Sequence, residues 1–65
     1  MLLETLLGEK LGLSYMEARH LVLKGREILR MSENEPWDQE LEEACAEIYW
    51  AQGGKKYYED GKSWA

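Results

Sequence analysis

The sequence contains no phenylalanine and only one proline, one cysteine and one histidine in 65 residues. The lone Cys45 has no partner for an internal disulfide, and Cys45 with His20 falls short of the four ligands that a zinc site within one chain requires. The usual staples of very small proteins are therefore missing, and a chain of this length buries only about 60% of the surface its unfolded form exposes. Stability must come from close helix packing or self-association. Long apolar runs are also absent: none approaches the roughly 20 residues that span a bilayer. The leucine-rich start "MLLETLLGEK" is broken by Glu4 and has no basic lead-in of a secretory signal. These absences predict a soluble chain that stays inside the cell, in the cytoplasm, away from membranes. No internal repeat, low-complexity linker or second domain is evident.

What is present is helical periodicity. Leu2, Leu3, Leu6, Leu7 and Leu11 recur at helical spacing and Gly12 follows as a stop, which predicts a first helix over about 2–11. In "SYME", Ser14 stands three residues before Glu17, the arrangement in which each side chain satisfies a backbone N–H at a helix start. A second helix is expected over about 15–31, with Ala18, Leu21, Val22, Gly25, Ile28 and Leu29 on its dry face. Met16, Arg19, Leu23, Arg26 and Arg30 line a neighbouring, mixed basic and apolar strip. Pro36 suits the first turn of a third helix, about 36–52, because it lacks an N–H that would be unsatisfied there anyway. Its apolar face is expected to hold Trp37, Leu41, Ala44, Cys45, Ile48 and Gln52, with Trp50 opposite and Gly53-Gly54 as the stop. The remaining "KKYYEDGKSWA" carries Asp60-Gly61, the dipeptide favoured in a tight hairpin turn. The fold class expected is all-α: a compact three-helix domain over 1–54 with a short aromatic hairpin or tail over 55–65.

Charge is divided along the chain. Residues 1–31 and 55–65 each carry net +1, whereas residues 32–54 contain seven carboxylates and no Lys or Arg, giving −5 in total. One account of this division pairs Arg19, Arg26 and Arg30 on the second helix with Glu40, Glu43 and Glu47 on the third; exposed pairs of this kind contribute only about 0–1 kcal/mol each.

The stretch "LGEKLGLSYMEARHLVLKG", with Leu7-Gly8, Leu11-Gly12-Leu13-Ser14, Ala18 and Leu21, resembles the helix-turn-helix DNA-binding family over about 5–24. That resemblance implies a second helix entering the major groove, with Tyr15, Met16, Arg19, His20 and Lys24 facing it and Arg26 or Arg30 meeting phosphate. A net charge of −5 opposes the phosphate attraction that supplies nonspecific affinity, which ranks a protein partner ahead of a nucleic-acid one.

Catalytic patterns are weak. Glu17 and His20 form a Glu-x-x-His step of the kind found in di-iron bundles, but they point away from the apolar face and Glu17 is claimed by the helix start. Gly53-Gly54 follows a helix and not a strand, which fits a helix stop better than a phosphate cradle. Cys45 lies on an apolar face and reads as a small hydrophobe. No metal, cofactor or enzymatic activity is expected.

The composition favours recognition instead. Three Trp and four Tyr are the aromatic residues suited to boundaries that are dry on one side and wet on the other. The expected function is a non-enzymatic, acidic protein-binding module, an adaptor or regulator, with another protein or a second copy of the chain as partner. Trp50, Tyr57, Tyr58 and Trp64 are the expected anchors, with Leu23 and Arg26 as a second contact surface. Glu40, Glu43 and Glu47 would supply an acidic face that mimics nucleic-acid charge. The alternative is a helix-turn-helix transcriptional regulator using Tyr15, Arg19, His20, Lys24 and Arg30.

Overall fold

A computed structural model describes residues 1–59, with side chains through Tyr57. Leu2 is extended and hands the chain to α1, Leu3–Leu11, whose Leu3 and Leu7 stack four residues apart into the core. Gly12 adopts the left-handed conformation (φ 69°) that an L side chain rarely takes, and closes the helix. Gly8 has a separate reason for lacking a side chain: the returning chain passes so close that a Cβ there would stand 3.1 Å from the Leu13 carbonyl oxygen.

Ser14 then starts α2, Tyr15–Leu29. The Glu17 amide donates to Ser14 Oγ at 3.2 Å and the Ser14 amide donates to Glu17 Oε1 at 2.8 Å, so the reciprocal cap expected from "SYME" is formed. The helix stops two residues earlier than its periodicity indicates. Arg30 turns left-handed (φ 58°), and the Met31 amide closes onto the Arg26 carbonyl at 2.8 Å.

The third helix also starts later than expected. α3 is Gln39–Ala51, and Pro36 and Trp37 precede it in the connection. Asp38, in an extended conformation, accepts the Leu41 amide at 3.0 Å and so takes the capping role ahead of which Pro36 cannot be helical. The buried line is Leu41, Cys45 and Tyr49; Ala44 and Ile48 are half-buried, and Gln52 is the terminal cap. α3 ends where the Gly54 amide reaches back to the Tyr49 carbonyl at 2.9 Å, with Gly53 and Gly54 both at positive φ.

α2 is the central element, packed against α1 on one flank and α3 on the other. The buried core consists of Leu3, Leu7, Leu13, Ala18, Leu21, Val22, Leu41, Cys45 and Tyr49, and Leu29, Met31, Trp37 and Tyr57 pack against it from the rim. Ile28, expected in the dry stripe, is 63% exposed. It lies three residues beyond Gly25, about 60° off the line of closest contact, while Leu29 falls nearer that line.

After Gly54 the chain forms a short α4, Lys55–Glu59, so the "YYE" drawn as one arm of a hairpin is helical. Lys55 Nζ donates to the Gly12 carbonyl at 2.6 Å, tying α4 to the α1–α2 turn. Asp60-Gly61 lies outside the described residues. Among the described residues the architecture is all-α: three helices around one core, with a short fourth against the first turn.

Candidate protein-binding surfaces

Two surfaces gather the side chains singled out from the sequence. The first is the outer face of α3. Glu40, Glu43, Glu47 and Trp50 follow one another at spacings of three, four and three residues, and all four are exposed. Gln39 Nε2 donates to Glu43 Oε1 at 3.3 Å, and no cation pairs with Glu40, Glu43 or Glu47 among the described residues. The expected pairing of Arg19, Arg26 and Arg30 with these carboxylates is therefore not formed. The one ion pair among the described residues joins Lys10 to Glu42 at 3.1 Å. Arg26 instead donates from Nη1 to the Ser32 carbonyl at 2.8 Å, where it holds the connection after α2. Arg19, Leu23 and Arg26 of the basic strip face this connection and the start of α1, whereas α2 meets α3 at Gly25 and at the Leu21 carbonyl.

At the end of the acidic face, Trp50 is 68% exposed yet held in place. Its ring meets the Tyr49 ring edge-on, with centroids 4.9 Å apart, and its six-membered ring lies so near Gly54 that a Cβ there would be 3.2 Å from Cζ3. Gly54 thus terminates the helix and makes room for the indole. Of the other expected anchors, Tyr57 is half-buried against the core. The Tyr58 side chain and Trp64 lie outside the described residues.

The second surface is a cleft of about 220 Å³ between the start of α1, the middle of α2 and the α2–α3 connection. It brings Leu23 and Arg26 together with Glu4, Arg19, Glu33 and Trp37. The Trp37 indole N–H donates to the Met1 carbonyl at 3.1 Å, which fixes the ring as a wall. Trp37, assigned from the sequence to the face of a helix, and Glu4, assigned to none, are members of this cleft that periodicity alone did not identify. The late cap at Asp38 is the missing signal, since it releases Trp37 into the connection.

The residues of the DNA-reading alternative are spread along α2. Tyr15 and Arg19 are exposed near its start, His20 and Lys24 are half-buried, and Arg30 stands at its far end, roughly 22 Å from Tyr15 at a rise of about 1.5 Å per residue. The Glu17 carboxylate is engaged at the Ser14 cap. Among the described residues no cluster of three or more His, Cys, Asp or Glu could hold a metal ion. Burial pushes the Cys45 thiol up to about 11, an effect that Arg26 opposes and that Glu4 and Glu42 reinforce. At neutral pH the sulfur is protonated and faces the Leu21 carbonyl, 3.8 Å away, so it is no nucleophile. No helix among the described residues is long and apolar enough to cross a membrane.

No family model, curated protein or solved structure matches the chain.

Proposed function

We propose that this chain is a non-enzymatic protein-binding module, an adaptor or regulator, that engages a basic partner through the outer face of α3. The observation that carries this reading is Trp50: a large aromatic side chain kept 68% exposed, yet pinned by Tyr49 and Gly54, at the end of a row of unpaired carboxylates. Indoles held in a set orientation lose little conformational entropy on binding and are frequent energetic anchors. Glu40, Glu43 and Glu47 would steer a cationic surface toward that anchor and would stand in for phosphate charge against a nucleic-acid-binding groove.

The test is capture of a partner from cell extract by the immobilised chain, followed by identification and titration of the purified partner. Trp50→Ala is expected to abolish capture and Glu43→Lys/Glu47→Lys to weaken it, with helical circular dichroism unchanged in both. Capture that survives both changes would reject the α3 face.

A second reading, a helix-turn-helix DNA binder, draws on the exposure of Tyr15, Met16 and Arg19 just after the Gly12 turn. Anisotropy of a labelled mixed-sequence duplex at low salt separates the two. Salt-sensitive binding lost in Arg19→Glu/Arg26→Glu would favour DNA, and no binding at high micromolar protein would remove it.

A further inference from the structure

The cleft between α1, α2 and their following connection has an uncommon charge inventory. Its lining carries two guanidinium groups, Arg19 and Arg26, and two carboxylates, Glu4 and Glu33, and none of the four takes part in an ion pair among the described residues. Arg26 is fixed in direction by its Nη1 bond to the Ser32 carbonyl, which leaves its other N–H donors unassigned. The same lining holds the apolar Leu2, Leu3, Val22 and Leu23 and the wall made by Trp37, whose indole N–H is already committed to the Met1 carbonyl. The volume of about 220 Å³ exceeds the roughly 150 Å³ of an apolar cavity that takes up benzene.

From this balance we propose that the cleft binds a small apolar zwitterion, the chemistry of a free apolar α-amino acid. An uncharged ligand would cover the apolar lining but leave four charges unmatched beside it. A ligand with one charge would be drawn to one pair and repelled by the other. A ligand that carries a carboxylate and an ammonium on one carbon, with an apolar side chain, meets both pairs at once and places its side chain on Leu23 and Trp37. A segment within a longer peptide has no such paired charges on its backbone. This site is separate from the α3 face and does not depend on the reading given to that face.

The test is nuclear magnetic resonance titration of the full chain with L-leucine and L-phenylalanine up to about 10 mM, tenfold above a Kd of about 1 mM. Nα-acetyl-leucine amide serves as the uncharged control. Binding is expected to be saturable, with shifts centred on the Leu23 methyls and the Trp37 indole N–H, and the control is expected to leave them unmoved. Arg19→Gln and Glu4→Gln are each expected to weaken binding about tenfold. Glu4 is half-buried in α1, so if Glu4→Gln loses its fold, Arg19→Gln, at an exposed position, decides. Equal binding of the uncharged control, unchanged affinity in Arg19→Gln, shifts centred on Trp50, or no saturable shift would each overturn the proposal.

Discussion

Gly25 and Cys45 mark the closest approach of α2 and α3: a Cβ on residue 25 would stand 2.8 Å from Cys45 Sγ and 3.0 Å from Leu41 Cδ1. A glycine in the middle of a helix costs about 1 kcal/mol relative to alanine, so its presence here reflects helix proximity and not local preference. Gly25→Ala is expected to destabilise the fold, because overpacking a close-packed core costs about 1–3 kcal/mol and outweighs the propensity gain. In a Cys45→Ala background the nearest obstacle is gone, Leu41 Cδ1 at 3.0 Å remains, and the same substitution is expected to cost less. Urea denaturation of the four proteins in this cycle reads the difference directly; equal effects of Gly25→Ala in both backgrounds would mean that the sulfur is not what excludes a side chain.

Arg30 is the one non-glycine residue with positive φ among the described residues. It occupies the left-handed position that ends α2, where glycine is the residue of choice, and the left-handed conformation costs an L residue roughly 1–2 kcal/mol. Arg30→Gly should relieve part of that cost, offset by the greater freedom of glycine in the unfolded chain. The expected net gain is about 0.5–1 kcal/mol, which for a domain of this size raises the midpoint by about 2–8 °C. A lower midpoint would show that the Arg30 side chain contributes more than its backbone costs.

These two positions also show what was and was not legible in the sequence. Helices α1 and α2 could be placed closely because their ends are written in local chemistry: Gly12 as a left-handed stop, and Ser14 with Glu17 as a reciprocal cap. The end of α2 was less legible, because arginine carries no signal for a left-handed turn. The α3 start was misplaced because two starts, Pro36 and Asp38, compete within three residues, and only the formed Leu41–Asp38 bond decides between them. At the other end of α3, Tyr49 lies only about 40° round the helix from Cys45 and is buried, whereas Gln52 falls on the terminal cap and adds nothing to the dry face. Arg19, Leu23 and Arg26 of the basic strip share one cleft, but where that cleft lies depends on the orientation of α2 relative to α3, and periodicity within one helix contains no information about that. Once α3 is docked through Leu41 and Cys45, Arg19 and Arg26 face α1 and the connection, and Glu40, Glu43 and Glu47 are left facing outward.

The raised Cys45 pKa makes stability depend on alkaline pH. The unfolded thiol ionises near its ordinary value of 9.0, whereas the folded thiol keeps its proton until about 11. Between these values the native state binds more protons than the unfolded state, so stability is complete below pH 9 and declines as pH rises toward 11. Each unit of the gap corresponds to about 1.4 kcal/mol. Denaturation midpoints measured from pH 8 to pH 10.5 are expected to fall more steeply in the parent than in Cys45→Ala. Parallel profiles would show that other groups govern alkaline unfolding.

Two contacts decide whether the segment after Gly54 belongs to the fold. Lys55 Nζ donates to the Gly12 carbonyl at 2.6 Å, and Tyr57 packs half-buried against the core. The first contact satisfies a carbonyl at the end of α1 and places a positive charge there, where the helix dipole favours it, a contribution of about 0.3–1 kcal/mol at an exposed site. The second covers apolar surface on a core of nine buried hydrophobic residues among those described, at about 25 cal/mol per Å² removed from water. Deleting residues 55–65 is therefore expected to lower the thermal midpoint, with Tyr57→Ala reproducing more of the loss than Lys55→Met. The salt dependence of the Lys55→Met effect separates charge from packing, since screening should shrink a dipole contribution and leave the Tyr57 contribution unchanged. If deletion leaves the midpoint where it was, neither contact stabilises the domain, and Tyr57 becomes as available to a partner as Trp50.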